Sequence, residues 1–193
     1  MKRGMLLAPG NISQPSAMHP FIHRMALRNA VNAALQHVKI YADGILPDQR
    51  RQFREFLKQW LARLGLRYFA WEYDAARYCT EITSLQQALL QQFRAILNGG
   101  EITVGVCQKP ISLYLKYLWL YGGGAKKPIF PPLDKQVLQA ADAPGARSFP
   151  QITTIKDYHN ICVHIDAYAK SQGYGSGVVW EAEFWNDEQD DEV

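Results

Sequence analysis

A chain of 193 residues, of which 48% are hydrophobic and 20% charged, has the composition of a folded globular protein and excludes an intrinsically disordered one. No apolar run reaches the roughly 18 residues that suggest a membrane span, and the three cysteines are widely spaced, without a Cys-x-x-Cys pair. This cysteine pattern excludes a zinc ribbon and an iron–sulfur cluster and favours a reducing compartment, so we predict a cytoplasmic protein.

The charge is unevenly distributed along the chain. The formal net charge is only +3, but five acidic residues lie among the last seven. Residues 1–186 therefore carry 21 basic and 13 acidic side chains, a net charge of +8 that suits a polyanionic partner. We predict one helical domain over residues 1–186, in one or two lobes, followed by an acidic tail at 187–193.

The N-terminal half predicts two amphipathic helices. The first begins at Pro20 and ends at Asp43-Gly44, and the second runs from Pro47 to Gly65. Their predicted core faces, at helical spacing, are Ile22, Met25, Val31, Leu35 and Val38 in the first and Phe53, Phe56, Leu57, Trp60, Leu61 and Leu64 in the second. The aromatic segment at residues 67–73 fits either a short strand or a buried helical turn.

The rest of the chain predicts five further helices. Ser84 caps one that reaches Leu97 and stops at Asn98-Gly99-Gly100. The next begins at Pro110 and ends at Tyr121, before a loop rich in glycine and proline at 122–132. Three more are expected: one capped by Asp134, one capped by Thr153 or Thr154, and one that starts near Ser176. The fold class is therefore mainly α, with a cleft between two helical lobes.

One pair of short motifs flanks the helix predicted at 110–121. Residues 105–109 read Gly-Val-Cys-Gln-Lys, and residues 131–134 read Pro-Pro-Leu-Asp. The pairing resembles the helix-hairpin-helix DNA glycosylases, over roughly residues 84–140. The resemblance implies a helix-hairpin-helix glycosylase-like fold in which Lys109 and Asp134 are the catalytic residues.

The same resemblance implies how DNA is bound. Double-stranded DNA is the expected partner of a monomeric enzyme, and the backbone of the hairpin grips its phosphates. No organic cofactor or side-chain metal site is expected, although an alkali-metal ion held by hairpin carbonyl oxygens belongs to the family pattern. The residues assigned to DNA binding are the hairpin Gly105, Val106, Cys107 and Gln108, and Lys126 and Lys127 in the following loop.

Breaking an N-glycosidic bond places positive charge on the sugar, which a fixed carboxylate such as Asp134 stabilises. Lys109 either attacks the sugar carbon as a neutral amine, which permits strand cleavage through a Schiff base, or contacts phosphate while water attacks. The target base must leave the duplex stack. Its pocket is assigned to Trp71, Tyr158 and Trp180 for stacking and to Glu181 for hydrogen bonding.

A longer sequence pattern indicates which branch of these glycosylases the chain resembles. Lys109, the run Leu113–Trp119, the Pro-Leu-Asp segment and a late Trp-Glu-x-x-x-Trp look like a divergent bacterial branch of these enzymes. The resemblance to this branch implies the excision of hypermodified bases, such as glucosylated hydroxymethylcytosine, from phage DNA. Two alternatives stay open: a non-catalytic helix-hairpin-helix DNA-binding module, favoured by Cys107 at a hairpin glycine position, and a helical protein whose basic face meets an acidic partner.

Overall fold

The computed structural model describes residues 19–36, 38–70, 72–122 and 126–190, with the backbone alone at residue 69 and at 185–190. Within these ranges it contains helices and no β-strand, which confirms the mainly α class. The helices are α1 Pro20–Leu35, α2 Pro47–Ala70, α3 Ala75–Phe93, α4 Val104–Tyr121, α5 Lys135–Ala140, α6 Ile155–Ser171 and α7 Gly177–Asp190. Three 3-10 turns lie at Arg94–Ile96, Asn98–Gly100 and Phe149–Gln151.

Side-chain caps fix where several of the helices begin. An oxygen of Asp74, Thr103, Asp134 or Thr154 accepts the N–H three residues on, at 2.7, 3.3, 3.0 and 3.1 Å respectively. Such a cap satisfies one of the unpaired N–H groups at a helix start and contributes about 1 kcal/mol. The predicted caps Asp134 and Thr154 are confirmed.

Several predicted boundaries are wrong. Helix α1 ends at Leu35, because Gln36 is extended, so Val38 lies beyond the helix. Helix α2 continues through Gly65 to Ala70, which makes residues 67–70 helical. Helix α3 begins at Ala75, nine residues before Ser84, since Tyr78 and Ile82 extend the buried face of Leu85 and Leu89 upstream at the same spacing. The same helix ends at Phe93, before the predicted end at Leu97, and Gly99 and Gly100 have the left-handed φ values expected of them, 66° and 70°.

Helix α4 runs through the core. Twelve of its eighteen residues are buried, which is typical of a helix packed on several sides. Helix α1 packs most closely along it and presents Ala26, Ala30 and Ala34, each at most 1% exposed. Small side chains four residues apart let two helix axes approach closely, so this alanine face replaces the larger residues Ile22 and Met25 that we predicted.

The predicted hairpin is part of α4. The helix begins at Val104, six residues before the expected start, and Pro110 lies inside it. Thr103 caps this earlier start, and the N–H of Gly105 donates to the carbonyl of Ile152 at 2.8 Å. The first turn is thus satisfied without a hairpin. The helix-hairpin-helix topology and the cleft between two lobes stay predictions.

None of the helices within the described ranges combines the length and the apolarity that crossing a bilayer requires.

Candidate functional site

The side chain of Gln108 joins the two sequence motifs. Its amide nitrogen donates to the carbonyl oxygen of Leu133 at 2.9 Å, and the N–H of Leu133 donates to its amide oxygen at 3.3 Å. Gln108 is fully buried, so water cannot replace these bonds. The amide therefore fixes both polar groups of Leu133 against α4, next to Asp134.

Two further side chains extend this contact into the core. The hydroxyl of Ser112 donates to the amide oxygen of Gln108 at 3.2 Å, and the Tyr78 hydroxyl lies 2.9 Å from that of Ser112. All three side chains are buried, and burial raises the pKa of Tyr78 well above its ordinary value. We call Gln108, Ser112, Tyr78 and the peptide groups of Leu133 the glutamine clamp. Because its members satisfy one another, it is a rigid buried network.

Lys109 follows Gln108 in the sequence, and Asp134 follows Leu133, so both catalytic candidates are next to members of the clamp. Burial lowers the pKa of Lys109, while the nearby carboxylate of Asp134 acts in the opposite direction. The amine stands 4.4 Å from the centre of the Phe149 ring, a cation–π contact. One oxygen of Asp134 also accepts the Val137 N–H at 3.0 Å. The structure thus places the amine within electrostatic range of a carboxylate that is 25 residues away in the sequence.

Gly105 determines how Phe149 reaches Lys109. A Cβ atom on Gly105 would lie 1.6 Å from the carbonyl oxygen of Phe149, a distance that only glycine permits. Together with the hydrogen bond from Gly105 to Ile152, this close approach seats the 3-10 turn Phe149–Gln151 on the first turn of α4. We call Lys109, Asp134 and Phe149, with the clamp behind them, the Lys109–Asp134 site.

The hairpin residues predicted to bind DNA are placed differently from expectation. The side chains of Val106, Cys107 and Gln108 are at most 6% exposed and Gly105 is buried, so in this conformation they face the protein interior. Among the described residues only Asp142 has a positive φ outside glycine, so Cys107 carries no backbone strain. Burial raises the pKa of its thiol, which makes it inert.

The backbone of this segment also fails to fit the alkali-metal ion that the resemblance implies. Residues 104–109 are helical, and the carbonyl of Thr103 accepts the Cys107 N–H at 3.1 Å. Helical carbonyl oxygens run parallel and bond along the helix, whereas an ion needs several that converge on one point. No group of three or more His, Cys, Asp or Glu residues in the described ranges is arranged to hold a metal ion.

Lys126 and Lys127 lie at the surface, beside the end of α2 and the start of α7. The Lys126 amine is 3.6 Å from the Glu72 carboxylate, and the Lys127 amine donates to the Ser176 hydroxyl at 3.0 Å. The Lys127 carbonyl accepts the Tyr68 hydroxyl at 2.8 Å. No described contact joins either lysine to the Lys109–Asp134 site.

The residues assigned to the base pocket are not gathered around one cavity. Trp71 lies outside the described residues. Tyr158 is fully buried with its ring edge on Phe130, and Trp180 packs between Tyr168 and Phe184. Glu181 is 1% exposed and pairs with Lys116 at 2.7 Å. In this conformation Tyr158, Trp180 and Glu181 are core residues rather than the lining of a pocket.

Sequence reasoning missed the structural role of Gln108 and the parts played by Ser112, Tyr78 and Phe149. One signal was present: Gln108 and Ser112 are polar residues four apart on a helix face that is otherwise apolar. Tyr78 and Phe149 carry no such signal, because only the tertiary fold brings them to α4.

Comparison of the chain with protein-family models, with curated proteins and with solved structures gives no match.

Proposed function

We propose that this protein is a DNA glycosylase that cleaves the N-glycosidic bond of a flipped, damaged or modified base and leaves an abasic site. The observation that carries the proposal is the electrostatic interaction of Lys109 with Asp134, whose sequence neighbours Gln108 and Leu133 are hydrogen-bonded to each other. The proposal places the enzyme in the cytoplasm, as a monomer that acts on duplex DNA.

The chemistry assigns one role to each of the two side chains. As the bond between the sugar C1′ and the base nitrogen breaks, its electron pair leaves with the base and positive charge develops on the sugar. The Asp134 carboxylate stabilises that charge. Lys109, whose pKa burial lowers, has a larger fraction of neutral amine than a solvated lysine and can attack C1′, which opens a Schiff-base route to strand cleavage.

The proposed substrate class is a bulky modified cytosine, such as the glucosylated hydroxymethylcytosine of phage DNA, and rests on the sequence resemblance. The test incubates the protein with duplexes that carry different modified bases and measures the released small molecules by mass spectrometry. Release of the glucosylated base from modified phage DNA, and not from unmodified DNA, is expected. Release of no base from any of them contradicts the glycosylase proposal.

The sharpest variant is Asp134→Asn. Asparagine keeps an oxygen to accept the Val137 N–H, so the cap on α5 and the fold survive while the negative charge is removed. We expect loss of base release by about 100-fold or more, as for removal of a group that stabilises transition-state charge, with DNA affinity retained. Asp157→Asn is the matched control, since Asp157 is an exposed carboxylate at the start of α6.

The alternative function is a DNA-binding module without catalysis. It is favoured by the capping bond of Asp134, which gives this carboxylate a structural use. Under this alternative, wild type and Asp134→Asn bind DNA equally and neither releases a base.

A further inference from the structure

Positive charge is concentrated on the first two helices. Residues 19–70 contain nine basic and three acidic side chains, a net charge of +6. Residues 72–122 contain four of each, and residues 126–190 contain six basic and nine acidic side chains, a net charge of −3. The α1–α2 pair is therefore the most basic part of the described protein, and it includes neither of the two catalytic candidates.

A groove between α1 and α2 lies within this basic region. It has a volume of about 420 Å³ and is lined by Phe21, Arg24, Met25, Leu27 and Arg28 of α1 and by Lys58 of α2. We call it the basic groove. The charged residues that line it are all basic, and its other lining residues are apolar. Phe21 is 59% exposed.

The two arginines of the groove have no ion pair within the described ranges, whereas three of the basic residues on α2 do. On α2, Arg51 pairs with Asp48, Lys58 with Glu55 and Arg67 with Glu81. Arg24 and Arg28 are exposed, stand one helical turn apart, and have no ion-pair partner among the described residues. Two adjacent guanidinium groups that no carboxylate neutralises are available to an external anion.

We propose that the basic groove binds the phosphate backbone of duplex DNA, with Arg24 and Arg28 each contacting a phosphate and the Phe21 ring packing against sugar carbons. The choice of DNA as the polyanion rests on the proposed function, whereas the groove itself is distinct from the Lys109–Asp134 site. Guanidinium forks match phosphate oxygens in geometry, and contacts of this kind position a protein without reading sequence. DNA is thus held through α1 and α2 instead of through the backbone at residues 105–107, whose N–H groups already donate to Ile152 and Thr103.

The test compares Arg24→Gln/Arg28→Gln with Lys156→Gln/Lys170→Gln, which removes two positive charges from exposed positions on α6. Binding of the full chain to an unmodified 20-base-pair duplex is measured by fluorescence anisotropy from 50 to 300 mM salt. Loss of two phosphate contacts lowers the slope of log affinity against log salt by about 1.8, and weakens binding at 0.1 M salt on the order of tenfold or more. The control pair is expected to bind within about twofold of wild type, since nonspecific charge effects at a distance are screened.

Equal losses in both double variants, or an unchanged salt slope in Arg24→Gln/Arg28→Gln, overturn the proposal. So does a wild-type chain that binds an acidic peptide and not DNA. Circular dichroism on each variant establishes that it is folded. Failure of this proposal can be distinguished from failure of the proposed function. If Arg24→Gln/Arg28→Gln releases base and binds DNA with full affinity, only the proposed role of the basic groove is contradicted. If the protein binds DNA through the groove in a salt-dependent way but releases no base, only the proposed catalysis is contradicted.

Discussion

At the scale of single residues, the Lys109–Asp134 site depends on one buried amide. Gln108 uses both ends of its side chain on the same residue, donating to the Leu133 carbonyl and accepting from the Leu133 N–H. A buried peptide group that loses its partner suffers the full desolvation penalty, which exceeds the net gain from making the bond. The clamp is therefore sensitive to any change that removes one of its members.

Replacing Gln108 by alanine should destabilise the fold by about 2–5 kcal/mol, because both Leu133 groups are left buried and unpaired. The free energy of unfolding, obtained from urea titration, measures this loss, and hydrogen exchange at the Leu133 amide should accelerate. Gln91→Ala is the control, since Gln91 is exposed on α3 and its replacement should change stability by at most about 0.5 kcal/mol. Comparable losses in both variants would count against the clamp.

Asp134→Asn should lower the pKa of Lys109 further, since burial already lowers it and the aspartate charge opposes that effect. Nuclear magnetic resonance of the labelled lysine amine across pH measures the value. Because the pKa of Lys109 is lower in the folded than in the unfolded chain, the unfolded chain binds more protons between the two values, and the free energy of unfolding rises with pH across that window. In the variant, the lower limit of this pH window should move to a lower pH, because the pKa of Lys109 in the folded chain is lower. An unchanged or higher pKa would mean that the two side chains do not interact.

At the scale of elements, α4 is held by two contacts of different kinds. The ion pair between Lys116 and Glu181 joins it to α7, with the two side chains 9% and 1% exposed. At its start, backbone contact between Gly105 and Phe149 joins it to the 3-10 turn. The first contact is electrostatic and the second is steric, so they respond to different substitutions.

Lys116→Met should cost about 3–5 kcal/mol, because it leaves the Glu181 charge buried without its cation. The double variant Lys116→Met/Glu181→Leu should recover most of this loss, since well-packed apolar residues often replace a buried ion pair without penalty. A double-mutant cycle on urea unfolding isolates the coupling. Additive losses in the cycle would show that the two charges do not depend on one another.

Gly105→Ala should destabilise the protein by about 3 kcal/mol or more, although alanine is the better helix former by about 1 kcal/mol. The added Cβ would meet the backbone carbonyl of Phe149, which cannot move without shifting the turn. Gly65→Ala is the comparison: its Cβ would lie 2.7 Å from the Tyr114 hydroxyl, which belongs to a side chain and can shift at the cost of its hydrogen bond to His23. Thermal unfolding should rank Gly105→Ala as the more severe, and the reverse order would refute the argument.

At the scale of the whole molecule, periodicity predicted the helical class and most of the buried faces, because Leu85, Leu89 and Phe93 repeat at helical spacing. Boundaries failed where a tertiary contact outweighed a local signal. Pro110 indicates a helix start, but the Thr103 cap and the Ile152 carbonyl satisfy an earlier one. Because the helix starts earlier, the segment from Gly105 to Gln108, which we predicted to contact DNA, lies in the core instead.

The pairing of Lys109 with Asp134 was predicted from a resemblance between short motifs, and the structure places the two side chains within electrostatic range of each other. The residues of a base pocket were harder to predict, because the sequence does not distinguish an aromatic residue that lines a cavity from one that packs in the core. Trp180 and Tyr158 fill the core. The excess of positive charge in residues 19–70 can be counted from the sequence alone. The basic groove could not be predicted in this way, because it forms only where α1 packs against α2.

The way in which Leu133 is held has a consequence for how this chain tolerates change. Its main-chain groups are tied to α4 directly, so the position of the neighbouring carboxylate does not depend on how many residues separate Tyr121 from Pro131. Entropy penalises a longer connection only logarithmically. New chain termini opened in that stretch, or a fluorescent domain grafted there, would leave the spacing between amine and carboxylate intact.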